Sequence, residues 1–145
     1  TFDSSNNRVT TSYTITDKAL ADSNAVDEDG NNILDEDGNQ VINYGLKHFA
    51  KEKAKQQAHS LIKRFGWLVQ RVTMDSSQTI PSAVTTYCAN IRTDCADIIT
   101  AIDNASDMTA FKALYQDTYN SDGSVNVVAR VNRWSDDTNV QQYVR

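Results

Sequence analysis

The stretch that decides the fold runs from residue 46 to residue 104 and reads LKHFAKEKAKQQAHSLIKRFGWLVQRVTMDSSQTIPSAVTTYCANIRTDCADIITAIDN. Its first part places apolar residues three and four positions apart, the period of one face of an α-helix: Leu46, Phe49, Ala50, Ala54, Ala58, Leu61, Ile62 and Phe65. Lysines cover the other face. The pattern predicts a helix over 46–65 that stops at Gly66, because glycine favours helix C-termini.

A second helix is predicted to begin at Pro81, the only proline of the chain. Proline suits the first helical turn, where the N–H that it lacks would have no partner. The inward stripe of this helix is Val84, Tyr87, Cys88, Ile91, Cys95, Ile98 and Ile102. The apolar run 67–72 between the two helices is predicted to be a strand or an extended link. After a break at 104–105, Ser106 or Asp107 is expected to cap a short third helix that turns Met108, Phe111, Leu114 and Tyr115 inward.

The sequence on either side of these helices is β-prone. A polar arm over 1–7 precedes an expected strand over 8–17, and the motif Asp-Glu-Asp-Gly-Asn then occurs twice, at 27–31 and 35–39. Asp-Gly indicates a hairpin because glycine accepts a positive φ without steric cost. We therefore predict a β-meander with two tight turns, whose acids lie in solvent. Residues 124–133 alternate as a strand does, and 134–145 are predicted to be a docking tail.

These elements predict an α+β fold in a single domain. Its three-helix core, a helical hairpin plus a short helix, packs with a small antiparallel sheet or meander from the N-terminal region and a C-terminal strand. The parts are an N-terminal arm and meander (1–46), the helical core (47–119) and the C-terminal strand and tail (120–145). Four residues are expected to hold this architecture: Trp67, Pro81, Tyr87 and Phe111.

Charge is unevenly distributed along the chain. Residues 1–46 carry a net charge of −7, residues 47–74 carry +6 and residues 75–145 carry −4. A basic segment between acidic flanks is expected to pair within the molecule or with an acidic neighbouring subunit. The overall acidity argues against a nucleic-acid-binding protein.

No motif of a known catalytic or nucleotide-binding type occurs, so we expect no enzyme and no cofactor. His48 and His59 are eleven residues apart and lie about 16 Å apart on one helix, too far to share a metal. The acidic motifs fail as EF-hand loops, because Ala25 or Ile33 falls where the first ligand Asp is needed. Hairpin turns are the preferred interpretation, with calcium binding by an adhesion module as a remote alternative.

Cys88 and Cys95 lie seven residues apart on one predicted helix, about 10.5 Å along its axis, beyond the reach of a disulfide. They are expected to be buried free thiols, which suits a reducing compartment. The sequence contains no apolar run long enough for a membrane span and no signal peptide, so neither membrane insertion nor secretion is expected.

Residues 51–103 resemble the phage tail (fibre) assembly chaperones and related small tail proteins. The shared pattern is a basic helix ending in a Leu-to-Trp segment, a polar loop, Ile-Pro and a second helix with Tyr and Ile-Arg. The matching positions are Leu61, Trp67, Arg71, Ile80, Pro81, Tyr87, Ile91 and Arg92. Gly66 stands where the family usually has Asp, and Cys88 stands where it has Arg.

The resemblance implies a structural or assembly component of a tailed bacteriophage, associated with the tail, tail fibre or baseplate. The implied partners are other phage structural proteins, in a homo-oligomer or a symmetric assembly, and the implied location is a virion assembled in the host bacterial cytoplasm. A transient assembly chaperone and a head or neck protein remain alternatives. We expect partner contacts at the two turns (Asp29, Gly30, Asp37 and Gly38) and at the tail (Trp134 and Tyr143).

Overall fold

The computed structural model of the protein describes residues 18–144. The elements in chain order are β1 (Ser23–Asn24), β2 (Ile42–Asn43), α1 (Leu46–Lys63), α2 (Gly66–Met74), α3 (Ser82–Asn104), α4 (Met108–Ala113), β3 (Thr118–Tyr119), β4 (Val125–Val127) and two 3-10 helices, Arg130–Asn132 and Thr138–Tyr143. β1 pairs antiparallel with β2, and β3 with β4. The predicted α+β class is confirmed, whereas the arm at 1–7 and the strand at 8–17 lie outside the described residues.

Helices α1 and α3 form the predicted antiparallel hairpin. Lys51 near the start of α1 reaches Asp103 at the end of α3, with 2.9 Å between Nζ and Oδ1. At the other end Arg64, just after α1, donates to the Tyr87 hydroxyl over 3.0 Å. Alanines recur every fourth residue along the face of α1 that packs inward: Ala50, Ala54 and Ala58. Because these side chains are small, the two helix backbones can approach closely.

The core lies between these helices in two adjoining clusters. Ile91, Ile98 and Ile102 of α3 are fully buried, and each contributes about 1.5–3 kcal/mol by leaving water. Tyr87, one of the four predicted architectural residues, is buried in the first cluster, and Phe111 is buried in the second. Trp134 packs against both clusters, so it joins the two halves of the core.

The link between the helices differs from the prediction. Residues 67–72 belong to helix α2 and are not extended, and Gly66 opens this helix although it was expected to stop α1, which ends at Lys63. Leu68 of α2 is buried against the first cluster. A short apolar run has no distinctive period, so its choice between strand and helix is made by what it packs against.

Two aromatic side chains expected in the core are half exposed. Phe49 neighbours Ala50 but projects to one side of the α1–α3 contact, where Lys18 Nζ lies 4.4 Å from its ring centroid. Tyr115 follows α4 and packs at a tilt on Phe111. Three- and four-residue spacing selects a helix face about a third of the circumference wide, and residues at the edge of that face stay in contact with water.

The C-terminal strand is shorter than predicted. The expected alternation over 124–133 is realised only over Val125–Val127, and both valines remain exposed. Beyond this point Asp117 Oδ1 accepts the Ala129 N–H over 2.6 Å, and the Leu114 carbonyl accepts the Val131 N–H. These bonds divert the backbone from the ladder into a 3-10 turn, which carries Val131 to the second core cluster.

Other local predictions are confirmed. Helix α3 begins directly after Pro81 and ends at Asn104. Asp107 caps α4, because its Oδ1 accepts the Ala110 N–H over 2.8 Å. Asn120 to Ser124 form the turn between β3 and β4, with Gly123 at a φ of +83°.

Candidate interaction surfaces

The two acidic motifs form two copies of one turn. In the first, Gly30 donates to the Asp27 carbonyl, and Asp27 Oδ1 accepts the N–H groups of Asp29 and Asn31. The second copy repeats this with Asp35, Asp37, Gly38 and Asn39. Gly30 and Gly38 have φ values of +84° and +82°, a conformation that residues with a Cβ rarely adopt. The turn prediction is confirmed, and the turns point their acids into solvent.

The turn geometry holds Asp27 and Asp35 ionised. Backbone hydrogen bonds from Asn31 and Asn39 are the main reason that the pKa of each carboxyl lies below its ordinary value of 3.8. These two carboxylates are therefore already occupied by the turns, whereas Glu28, Asp29, Glu36 and Asp37 form no ion pair with residues 18–144.

The meander closes on a three-way backbone junction that the sequence analysis missed. The Ala25 N–H donates to Val41, the Ile33 N–H to Ala25 and the Val41 N–H to Ile33, with distances of 2.8–2.9 Å. These three residues recur at intervals of eight. The Gln40 Nε2 group fills the centre and lies 2.9, 3.1 and 2.8 Å from the carbonyls of Ala25, Ile33 and Val41. The eight-residue repeat was the signal that could have revealed the junction.

Several apolar side chains of the meander are exposed to solvent. Val26 and Leu34, which occupy equivalent positions in the repeat, are 51% and 56% exposed, and Ile33 is 41% exposed. Tyr44, just before α1, is also exposed, and its ring stacks on His48 with centroids 3.9 Å apart. Exposed apolar side chains near charged ones are typical of surfaces that bind other proteins. We call residues 26–41 the acidic meander surface.

The acidic meander surface is attached rigidly to α1. Asp22 Oδ1 accepts the Gly45 N–H over 2.7 Å, and the carbonyls of Ala19 and Leu20 accept the N–H groups of Leu46 and Lys47. Three donors at the start of the helix are thereby satisfied by residues 19–22. A Cβ on Gly45 would overlap the carbonyl oxygens of Leu20 and Ala21, so this close approach requires glycine.

The C-terminal segment packs on the protein's own core. Val140 is buried, Asp137 forms a 3.0 Å ion pair with Arg64, and Ser135 donates its N–H to Asp94. The two tail residues expected at partner contacts, Trp134 and Tyr143, are both partly buried in the first cluster. The Tyr143 carbonyl accepts the indole N–H of Trp67 over 2.9 Å. Their contact with a partner stays a prediction, and it concerns only the part of each side chain that reaches solvent.

An apolar groove runs between α2 and the start of α3. Its floor consists of Ile62, Phe65, Val69, Ile80, Val84 and Cys88. Val69 is 55% exposed, so the groove opens to solvent. Lys63 and Arg92 stand at its edges, and neither forms an ion pair with an acid of residues 18–144. We call this feature the α2 groove.

Part of the basic segment is neutralised within the molecule, as its acidic flanks led us to expect. Lys51 pairs with Asp103 and Arg64 with Asp137, both from the acidic C-terminal half, while Lys55 pairs with Glu52 on its own helix. Lys63 of this segment and Arg92 of α3, both at the α2 groove, form no ion pair with an acid of residues 18–144.

The cysteines and histidines, the side chains best suited to catalysis or metal binding, do not lie together in one site. Burial raises the pKa of both the Cys88 and the Cys95 thiol, which disfavours the reactive thiolate. Both cysteines are free. His48 lies 3.7 Å from Asp22, and His59 is exposed further along α1. Among residues 18–144, histidines, cysteines and acids form no group of three that could hold a metal ion.

No helix within 18–144 has both the length and the apolar character needed to cross a membrane. Comparison of the chain with protein-family models, curated proteins and solved structures gave no match.

Proposed function

We propose that this protein is a non-enzymatic structural or assembly component of a tailed bacteriophage, associated with the tail, tail fibre or baseplate. The observation that carries the assembly role is the acidic meander surface, on which apolar side chains face solvent from a backbone held by turn and junction hydrogen bonds. Burying such side chains against a partner gains free energy without the cost of ordering a loop. A rigid apolar and acidic surface suits assembly at defined positions.

The phage assignment is supported by the resemblance of residues 51–103 to the tail assembly chaperones. Residues of the shared pattern hold the helical hairpin together: Tyr87 is buried, Ile91 is fully buried and the Trp67 indole is hydrogen-bonded. The shared pattern thus consists in good part of residues that build the scaffold, and the surfaces that meet partners lie outside it or at its edges.

Purified particles of the phage that encodes this chain test the proposal. A structural component is present at a fixed ratio to the major tail protein in quantitative mass spectrometry. A transient chaperone is absent from particles but co-purifies with tail or fibre protein from infected cells. Finding the chain in isolated heads but not in isolated tails would place it at the head or neck. Finding it in neither particles nor tail intermediates would overturn the proposal.

A further inference from the structure

We propose that the acidic meander surface of one copy docks into the α2 groove of the next copy, so that the protein associates head to tail. The inference names the partner of the assembly role above and therefore rests on the proposed function. Four observations carry it: an open apolar groove, two cations at its edges and four acids on the meander that form no ion pair within residues 18–144, and exposed apolar side chains on the meander near those acids.

The two surfaces match in chemistry. The floor of the α2 groove is aliphatic and aromatic, and Leu34 with Val26 supplies apolar side chains that already face solvent. Glu36 and Asp37 lie two and three residues after Leu34 in the second turn, and Lys63 and Arg92 at the edges of the groove carry the opposite charge. Opposite charges around an apolar contact favour one partner and one register.

The two surfaces cannot meet within one molecule. The meander joins α1 at Gly45, where residues 19–22 fix it to the first turn, and the groove begins at Ile62 near the last turn. The 18 residues of α1 separate these points by about 27 Å at 1.5 Å per residue. The contact must therefore form between copies.

The geometry of such a contact has a structural consequence. Because the meander and the groove are different surfaces, the interface is heterologous, and a pair of copies keeps one free meander and one free groove. Repetition of a heterologous contact gives a closed ring when the rotation closes, and an open helical array when it does not. Both are forms on which a tubular or ring-shaped assembly can be built.

Charge reversal provides the test. The groove variant carries Lys63→Glu and Arg92→Glu, and the meander variant carries Glu36→Lys and Asp37→Lys. All four positions are at or near the surface, and thermal melting checks that each variant folds. Sedimentation velocity in low-salt buffer is expected to show concentration-dependent association of the wild-type chain, and more than about tenfold weaker association of each variant alone. Raising the salt concentration should weaken wild-type association as well.

Mixing the two variants separates a heterologous contact from the alternatives. The native meander of the groove variant matches the native groove of the meander variant, and the two reversed surfaces are complementary as well, so contacts form between unlike chains. The mixture is expected to associate as the wild type does, with the two variants alternating, whereas each variant alone does not. Combining all four reversals in one chain should restore association, and Leu34→Ser should weaken it, whereas Val128→Ser, an exposed valine elsewhere, should not.

A wild-type chain that stays monomeric at every concentration, or variants that associate as the wild type does, would overturn the docking proposal and leave the α2 groove to a different protein. Neither result affects the particle analysis, which tests the phage role independently. Absence from particles combined with restored association of the mixed variants would overturn the phage role alone.

Discussion

The helical core and the acidic meander are built on different physical principles within one chain. The core buries apolar side chains between α1 and α3, and Ile91, Ile98 and Ile102 of α3 have no exposed surface. The meander buries one residue, Ala25, and is held by turn hydrogen bonds, two glycines with positive φ and the Gln40 amide. Stability in the core therefore scales with apolar area, whereas order in the meander depends on individual polar groups.

The difference suggests how the chain combines stability with binding. A region held by its own apolar residues has few left for a partner. The meander is ordered by backbone and side-chain hydrogen bonds, so its valine, isoleucine and leucine side chains remain exposed. Perturbations of the core should consequently affect the whole fold, and perturbations of the meander should stay local.

The largest effect is expected from Ile98→Ala. Ile98 is fully buried in the second core cluster, and its truncation should lower the free energy of unfolding by about 2–5 kcal/mol. The matched control is Ile99→Ala, the next residue of α3, which is only partly buried and should cost less. Urea denaturation followed by circular dichroism measures both. Equal losses would contradict the packing of α1 on α3 described above.

Gly45→Ala tests the junction between the two regions. The new Cβ overlaps the carbonyls of Leu20 and Ala21, so residues 19–22 must shift, at a cost of about 1–3 kcal/mol. Gly66→Ala is the control, because a Cβ there meets nothing within 4 Å and alanine favours the helix. The same denaturation experiment should show a loss for the first variant and no loss for the second. Two neutral variants would mean that the segment 19–22 is not fixed to α1.

Gln40→Glu should disturb the meander and spare the core. A carboxylate cannot donate to the carbonyls of Ala25, Ile33 and Val41, and each of these partly buried or exposed hydrogen bonds contributes about 0.5–1.5 kcal/mol. Hydrogen exchange should accelerate at the amides of these three residues and stay unchanged at Ile98. Gln40→Met removes the donor without adding charge, so its effect should be smaller. Acceleration throughout α3 would show that the two regions unfold together.

At the two turns of the meander, acidification should produce the smallest of these changes. The folded-state pKa values of Asp27 and Asp35 lie below 3.8, so the contribution of these carboxylates to stability is complete above about pH 4. It is lost as the pH falls through the folded-state values. NMR chemical shifts of the backbone amides of Asp29, Asn31, Asp37 and Asn39 measure this loss of stabilisation as the pH is lowered. In a chain with Asp27→Asn and Asp35→Asn this transition should disappear, because neither side chain titrates.

Local patterns in the sequence were enough to locate several elements and both turns of the meander. Helices α1, α3 and α4 have apolar periods and end signals that operate within a few residues, such as Pro81 and Asp107. The candidate surfaces were only partly predictable. The acidic turns were identified from the sequence. The exposed apolar side chains near them and the α2 groove were not, because they depend on which side chains the fold leaves uncovered.

What the sequence determined by itself is set by forces that act between near neighbours. Local signals of this kind favour one conformation of the backbone with little help from the rest of the chain. Glycine accepts the positive φ of a turn, and aspartate accepts the N–H groups of its own turn. Alanines four residues apart lie on one face of a helix. The turns at Gly30, Gly38 and Gly123, and the inward face of α1, follow directly from these requirements.

The tertiary structure decided the positions for which local forces are nearly balanced. Residues 67–72 became helix α2 because Leu68 could be buried beside Tyr87. The strand ends at Val127 because Asp117 and Leu114 accept the next N–H groups, those of Ala129 and Val131. The C-terminal segment is held on the core by the Asp137–Arg64 ion pair and by the hydrogen bond from Trp67 to the Tyr143 carbonyl. Contacts between residues 12 to 76 positions apart supply the deciding free energy in these cases, and no local pattern encodes them.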